Sequence, residues 1–193
     1  MKNNAFTLIE LLIVIAITAI IAGAMILLFS VSKQDAKIAK FLALVDALRI
    51  ACEQYYFDIG EYAIEQWDGA PDDRRLSFDP NIITPNTAPG WNGPYISHPL
   101  TEDDNPFGRD ITAAGDMGVS FDLNGDGSID LEECQVLSFD VKSDDAIAEK
   151  IDDAVDKGLG GAEGWKAKGK VVYDSSQPYE QVCIYLLGGK PPS

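Results

Sequence analysis

The fold is decided at the N-terminus, where residues 6–31 read FTLIELLIVIAITAIIAGAMILLFSV. After Glu10 the apolar run is interrupted only by Thr18, Gly23 and Ser30. An α-helix rises about 1.5 Å per residue, so about 20 apolar residues span the ~30 Å hydrocarbon core of a bilayer. The sequence therefore predicts a membrane-spanning helix over residues 6–31.

A cleaved secretory signal is the alternative interpretation of the same run. Signal peptides have an apolar core of about 7–15 residues before a small-residue cleavage site, and Ala22-Gly23-Ala24 fits such a site. However, the apolar run continues beyond this site through Met25–Phe29. A carboxylate at Glu10 also has no use in a signal peptide. Both features favour a retained helix, and a plain membrane anchor for an exported domain stays open.

Glu10 is the most informative residue of the run. An acid in a membrane helix costs ~2.5–3.5 kcal/mol at the centre, less near the end, and is usually paired with a positive group. The sequence contains no Lys or Arg between residues 3 and 32. We therefore expect a positive group from elsewhere, and the candidate is an α-amine created by cleavage just before Phe6 of a neighbouring subunit.

Residues 1–14, which read MKNNAFTLIELLIV, resemble the N-terminus of type IV pilins and type II secretion pseudopilins. In that family prepilin peptidase removes a short basic leader, the new N-terminal Phe is methylated, and the Glu five residues into the mature chain serves assembly. The resemblance implies a leader at residues 1–5, cleavage between Ala5 and Phe6, and an assembly role for Glu10. Two departures are that Ala5 replaces the usual Gly and that no Pro occurs near Leu27.

The resemblance also implies a function, partners and a location. The chain would be a structural subunit of a type II secretion pseudopilus or type IV pilus-like filament, and not an enzyme. Its partners would be copies of itself, other pilin-like subunits, prepilin peptidase, an inner-membrane assembly platform and membrane lipid. It would cross the inner membrane once with its globular domain in the periplasm, and the filament would be periplasmic or extracellular.

The first helix is expected to continue out of the membrane, so that it covers residues 6–58. No Gly or Pro occurs between Val31 and Phe57, and Gly60 supplies a stop signal. Apolar residues recur there at steps of three and four, which marks one face of a helix. The stripe consists of Phe41, Leu44, Val45, Leu48, Cys52, Tyr55 and Tyr56. It predicts that the rear half of the helix packs on a globular domain at residues 59–193.

This globular part is strongly acidic. Residues 1–50 carry a net charge of +2, whereas residues 51–193 carry −18. The excess of acid argues against nucleic acid as a partner, because phosphate binding needs a Lys/Arg surface. Strand-like runs occur at residues 118–123, 135–141, 170–174 and 181–187, and residues 144–157 predict an amphipathic helix. We therefore predict an α+β, pilin-like fold, with the long helix packed against a small antiparallel sheet.

Residues 66–110 are rich in Pro, Gly, Asn and Asp and predict an ordered loop region. Within it, residues 90–96 read GWNGPYI, which is similar to a turn of the major pseudopilin of type II secretion. Residues 105–108, which read NPFG, are comparable with a second element of that family. We expect an aromatic-anchored turn whose role is packing.

Residues 122–133 read DLNGDGSIDLEE and match an EF-hand-type loop at every ligand position. Ca²⁺ is a hard cation that takes about 6–8 oxygen ligands. The predicted ligands are the side chains of Asp122, Asn124, Asp126, Asp130 and Glu133 and the carbonyl of Ser128. Gly127 permits the sharp turn, and Ile129 is expected to point into the core. The strand-like flanks predict a stand-alone loop with a structural Ca²⁺. A membrane-anchored calcium-dependent binding module or enzyme is the alternative to a filament subunit.

The remaining polar residues give weaker signals. Cys134 and Cys183 lie beside predicted strands, a placement compatible with a disulfide, whereas Cys52 is expected to be a buried thiol. The lone His98 lies in a Pro-flanked loop and is expected to be solvated. The acid clusters at residues 102–104 and 152–153 predict solvated faces.

Overall fold

The computed structural model describes residues 8–66, 89–108, 110–115, 118–141, 145–157, 159, 167–174 and 181–192. Helix α1 spans Leu8–Ile59, and the chain divides within it into two compact units, Met1–Ala39 and Lys40–Ser193. The described residues of the first unit are all helical. The second unit holds the end of α1, a sheet and a second helix.

Within the described residues, the sheet has five strands in the order β1-β2-β3-β5-β4, and every neighbouring pair is antiparallel. The strands are β1 (Glu65–Gln66), β2 (Ile111–Gly115), β3 (Glu132–Asp140), β4 (Val171–Asp174) and β5 (Gln181–Lys190). A 3-10 turn at Glu102–Asp104 precedes β2, and helix α2 (Asp145–Asp156) lies between β3 and β4. The α+β fold predicted from sequence is confirmed.

The predicted elements of the C-terminal half correspond closely to β3, α2, β4 and β5. The predicted strand at residues 118–123 is wrong, because only Phe121 pairs there, in an isolated antiparallel bridge with Leu131. Strands β1 and β2 were not predicted.

From Lys40 onward, α1 buries one apolar stripe against the sheet. Phe41, Val45, Leu48, Cys52 and Tyr55 are all buried, as the spacing predicted. The ring of Phe41 lies 4.6 Å from that of Phe139 on β3 and 5.4 Å from that of Phe107, centroid to centroid. Packing of this stripe, rather than helix propensity, supplies most of the stability of such a helix.

The prediction was wrong for Tyr56, which is 44% exposed and stacks on Tyr62 at the edge of the stripe. Helix α1 then ends as expected. The backbone N–H of Gly60 donates to the carbonyl of Tyr56 at 2.8 Å and satisfies one of the free acceptors of the last turn.

Helix α2 is tied to β4 through a carboxylate. Asp156 accepts hydrogen bonds from the backbone N–H groups of Lys170 at 2.7 Å and Val171 at 3.1 Å. Asp152, one turn earlier, is buried with 1% exposure, so the solvated face predicted at residues 152–153 is wrong for this residue. Burial, together with the neighbouring carboxylates of Asp156 and Asp153, raises the pKa of Asp152 to about 7.

Cys52, Cys134 and Cys183 are buried, and none of them forms a disulfide. Cys134 pairs with Gly188 across the sheet, whereas Cys183 pairs with Ser138. Five strand positions separate Cys183 from Gly188, which is roughly 16 Å at ~3.3 Å per residue and too far for a disulfide. The disulfide that the sequence left open between Cys134 and Cys183 is therefore not formed. Cys52 is the buried thiol predicted, and burial raises its pKa to about 12.

The aromatic turn packs on the end of α1. The peptide bond between Gly93 and Pro94 is cis. The hydroxyl of Tyr95 donates to Asp58 Oδ2 at 2.8 Å and accepts from the Asn92 N–H at 2.9 Å. Its ring meets Trp91 edge-on at a centroid distance of 5.9 Å. The turn thus has the packing role expected for it.

Candidate functional site

The first candidate site is the N-terminal segment of α1. Among the described residues up to Met25, the large apolar side chains are all at least half exposed. The hydroxyl of Thr18 donates to the carbonyls of Val14 and Ile15, each at 3.0 Å, so this polar group is satisfied within the helix. The segment therefore presents an almost entirely apolar surface.

Glu10 lies in the first turn of α1 and is exposed. An acid is favoured at this end of a helix because the partial charge of the helix N-terminus is positive. Ala5 and Phe6, the predicted processing residues, lie outside the described residues. Within the part of the chain that the structure describes, no helix combines the length and apolarity needed to cross a bilayer.

The second candidate site is the loop at residues 122–133, which joins the Phe121 bridge to β3. Three backbone hydrogen bonds close its base. The N–H of Phe121 donates to the carbonyl of Leu131 at 2.9 Å, and the carbonyl of Phe121 accepts from Asp130 at 2.8 Å and Leu131 at 3.2 Å. Phe121 is fully buried in a cluster with Cys134, Val136, Val172 and Cys183. The loop therefore starts from a rigid base.

Phe121 and Leu131 anchor this loop, not Ile129. The prediction that Ile129 points into the core is wrong, because its side chain is 41% exposed. Leu131 packs on the buried cluster instead. Ile129 lies before β3, which begins at Glu132, so strand alternation does not place it on the same face as Leu131.

Asp122 organises the loop. Its Oδ1 accepts from the N–H groups of Gly125 at 2.8 Å and Asp126 at 3.1 Å, and its Oδ2 accepts from Gly127 at 2.8 Å. The residue is only 2% exposed. Gly127 has φ of +93°, so the sharp turn assigned to it from sequence is present.

The other predicted ligands line the loop in sequence order. Asn124 Oδ1 accepts from the Asp126 N–H at 2.8 Å, and the Asp126 carboxylate accepts from the Ser128 N–H at 2.8 Å. The bond from Ser128 is the main reason that the pKa of Asp126 is lowered. Asp130 accepts from the backbone and side-chain N–H groups of Asn124 at 3.2 and 3.3 Å. Hydrogen bonds thus connect Asp122, Asn124, Asp126 and Asp130 within the loop.

Glu133 does not join them. It has φ of +53°, and its carboxylate forms an ion pair with Lys190 at the end of β5. Among the residues described, no three or more His, Cys, Asp or Glu side chains converge in a way that could hold a metal ion. The donor set suits a hard cation chemically, since it consists of carboxylate and amide oxygens. The Glu133 carboxylate, which would complete the coordination shell, is paired with Lys190 instead.

The segment before β4 supports the loop, and sequence reasoning missed it. The Lys168 ammonium donates to the Gly125 carbonyl at 3.0 Å, and the Gly169 N–H donates to the Asp122 carbonyl at 2.7 Å. No local signal marks these contacts, because they join residues distant in sequence. His98 is exposed, with Nδ1 2.9 Å from the Pro99 carbonyl, as expected for a surface residue.

Comparison with known proteins bears on the first of these sites. Residues 1–26 match the family model described as "Prokaryotic N-terminal methylation motif". The chain carries a prokaryotic N-terminal methylation motif. This match supports a type IV pilin-like N-terminus of the kind processed by prepilin peptidase. No curated protein and no solved structure matches the chain.

Proposed function

We propose that the chain is a structural subunit of a type II secretion pseudopilus or type IV pilus-like filament. Prepilin peptidase would cleave between Ala5 and Phe6, and residues 6–31 would hold the subunit in the inner membrane before assembly. The observation that carries the proposal is the N-terminal methylation motif over residues 1–26. The exposed apolar surface of α1 supports it, because a helix that is apolar all round needs lipid or other helices around it.

Mass spectrometry of the mature N-terminus tests the processing step directly. We expect a chain that begins at a methylated Phe6. A chain that begins at Met25 would identify a secretory signal, and an intact Met1 would identify a plain membrane anchor. Either result would reject the filament subunit and favour the membrane-anchored or exported calcium-binding alternative.

Glu10→Leu tests the assembly step. The carboxylate is proposed to contact the α-amine of Phe6 in a neighbouring subunit, so its loss should remove fibres while monomer remains in the membrane. Electron microscopy of sheared material and immunoblotting of membranes measure the two quantities. Glu149→Leu, which removes an exposed acid from α2 instead, controls for the general effect of the substitution on expression. Normal fibre yield from Glu10→Leu would contradict the proposal.

We further propose that the loop at residues 122–133 binds a structural Ca²⁺. The buried Asp122 carboxylate, the Asn124 amide and the carboxylates of Asp126 and Asp130 would hold the ion, with the Ser128 carbonyl and Glu133. Glu133 would exchange its ion pair with Lys190 for the cation. Bound Ca²⁺ would supply positive charge to an acidic region and order the connection into β3.

Thermal unfolding in Ca²⁺ and in EDTA tests the calcium site. Extracellular modules bind Ca²⁺ with Kd of about 10⁻⁴–10⁻³ M, so millimolar Ca²⁺ should add up to ~2 kcal/mol of stability and roughly 4–8 °C in Tm. Glu133→Gln should lose most of this gap, whereas Glu149→Gln on the exposed face of α2 should keep it. An equal wild-type Tm in Ca²⁺ and in EDTA would contradict the proposal of a structural ion.

A further inference from the structure

The end of α1 forms one wall of a surface cleft. The cleft has a volume of about 430 Å³, and the aromatic turn forms its opposite wall. Its lining residues are Glu53, Gln54, Phe57, Asp58, Asn92, Pro94 and Tyr95. We call this surface the acidic cleft. All of its residues belong to the second unit of the chain.

The acidic cleft combines negative charge with an exposed ring. Phe57 is 90% exposed, and Ile50, two turns earlier on the same face of α1, is 57% exposed. Glu53 lies between them and is exposed. Asp58 is held in place by the Tyr95 hydroxyl at 2.8 Å. An apolar ring that stands beside carboxylates suits a ligand with an aliphatic stem and a cationic head.

The backbone of α1 strengthens this preference for a cation. The helix ends at Ile59, beside the cleft, and its last turn contains no basic residue. The C-terminus of a helix carries a partial negative charge, which favours cations within the last turn. The carboxylates and the end of the helix therefore both favour a cation in the acidic cleft.

We propose that the acidic cleft docks Lys33 and Lys37 of a second copy of this chain. The inference rests on the proposed filament function, in which copies meet through α1. Lys33 and Lys37 are exposed and lie four residues apart, so they project from one side of the helix. They lie in the region with net charge +2, and the cleft lies in the region with −18, so the two surfaces are complementary in charge.

Charge reversal tests the contact in the full chain, expressed with its native assembly system. Glu53→Lys alone, and Lys33→Glu with Lys37→Glu, should each lower fibre yield about tenfold, because like charges then face each other. The triple variant should recover most of the yield. Glu149→Lys, the same change of charge on the exposed face of α2, should leave the yield unchanged. Fibre yield is measured per membrane-embedded monomer, and the Tm of each variant checks folding.

Disulfide trapping tests the same contact without charge reversal. Cells that express both Phe57→Cys and Lys37→Cys chains should form a cross-linked dimer under mild oxidation, and cells with Glu149→Cys in place of Phe57→Cys should not. Normal fibres from the single reversals, failure of the triple variant to recover, or absence of the cross-link in wild-type-like fibres would overturn the docking. A wild-type chain that forms no fibres would overturn the filament function and this inference together.

Discussion

At the scale of single residues, Glu133 shows where a sequence motif stops being sufficient. It stands at the last ligand position of the loop, and the residue before it, Glu132, pairs with Lys190 in the β3–β5 register. This register brings the Lys190 ammonium to the Glu133 carboxylate. A local motif cannot reveal that Lys190 competes with a cation for the Glu133 carboxylate, because this contact depends on which strands are neighbours. The hydrogen bonds that link Asp122, Asn124, Asp126 and Asp130 arise from local turns, and the structure shows them.

Lys190→Gln should therefore strengthen Ca²⁺ binding. The ion pair is about half exposed, so removing it should gain no more than ~1 kcal/mol, or up to about fivefold in Kd. Isothermal titration calorimetry at low salt measures the change. Lys150→Gln on α2, which removes the same charge from another element, serves as the control. Equal Kd values for the wild type and Lys190→Gln would show that the ion pair does not oppose calcium.

Asp152 should make stability depend on pH. Burial first, then the charges of Asp156 and Asp153, raise its folded-state pKa from 3.8 to about 7. The native state therefore holds the proton more tightly than the unfolded chain does. The contribution of this group is fully present below pH 3.8 and is lost as the pH rises through about 7.

Asp152→Asn should remove that loss, because an amide is uncharged and can still donate a hydrogen bond to Asp156. At pH 8 we expect a gain of ~1 kcal/mol, or about 2–4 °C in Tm, which shrinks toward pH 5. Melting curves across this range measure it. Asp153→Asn, at an exposed neighbouring position, should change the slope little. A parallel pH profile for the wild type and Asp152→Asn would contradict the argument.

At the scale of elements, amphipathic and strongly apolar segments could be predicted from sequence. Strands that depend on pairing with distant segments could not. Strand β2 consists of Ile111-Thr112-Ala113-Ala114-Gly115, whose small residues have little strand propensity. It pairs with β1 and β3, which come from distant parts of the chain, and at Gly115 a Cβ would collide with Tyr62. Strand β1 has two residues, too few for any periodicity. Both depend on long-range partners.

The contribution of the Tyr95 hydroxyl to packing of the aromatic turn on α1 can be tested by one substitution. Tyr95→Phe removes the bonds to Asp58 and Asn92 and should lower the free energy of unfolding by ~1–2 kcal/mol. Chemical denaturation measures this loss, and Tyr56→Phe, at an exposed position of the same helix, should cost less. Equal stabilities would mean that ring packing alone holds the turn.

At the scale of the whole molecule, the unequal distribution of charge is the dominant feature. The region from residue 51 onward carries −18, and its carboxylates repel one another when unscreened. The sequence predicted this imbalance and the α+β class correctly. It could not predict the order of the strands, because pairing depends on contacts between distant segments.

Sodium chloride should therefore raise the Tm of the chain. Between about 0.01 M and 0.5 M salt the screening length falls from ~30 Å to a few ångströms, and acidic repulsion should weaken accordingly. We expect a rise of a few degrees in EDTA, measured by circular dichroism. Millimolar Ca²⁺ should add its own increment on top at 0.5 M salt, whereas equimolar Mg²⁺ should add less. If salt abolishes the calcium increment, the ion acts only by screening.

The strand order affects the tendency of the protein to aggregate at high local concentration. Among the described strands, the two edges of the sheet are β1, with two residues, and β4, with four, while the long strands β3 and β5 are paired on both sides. Short edge strands present few unpaired N–H and C=O groups to another chain, so edge-to-edge aggregation of sheets is disfavoured. In the proposed filament, subunits at high local density would then contact one another through their helices without forming an amyloid-like aggregate.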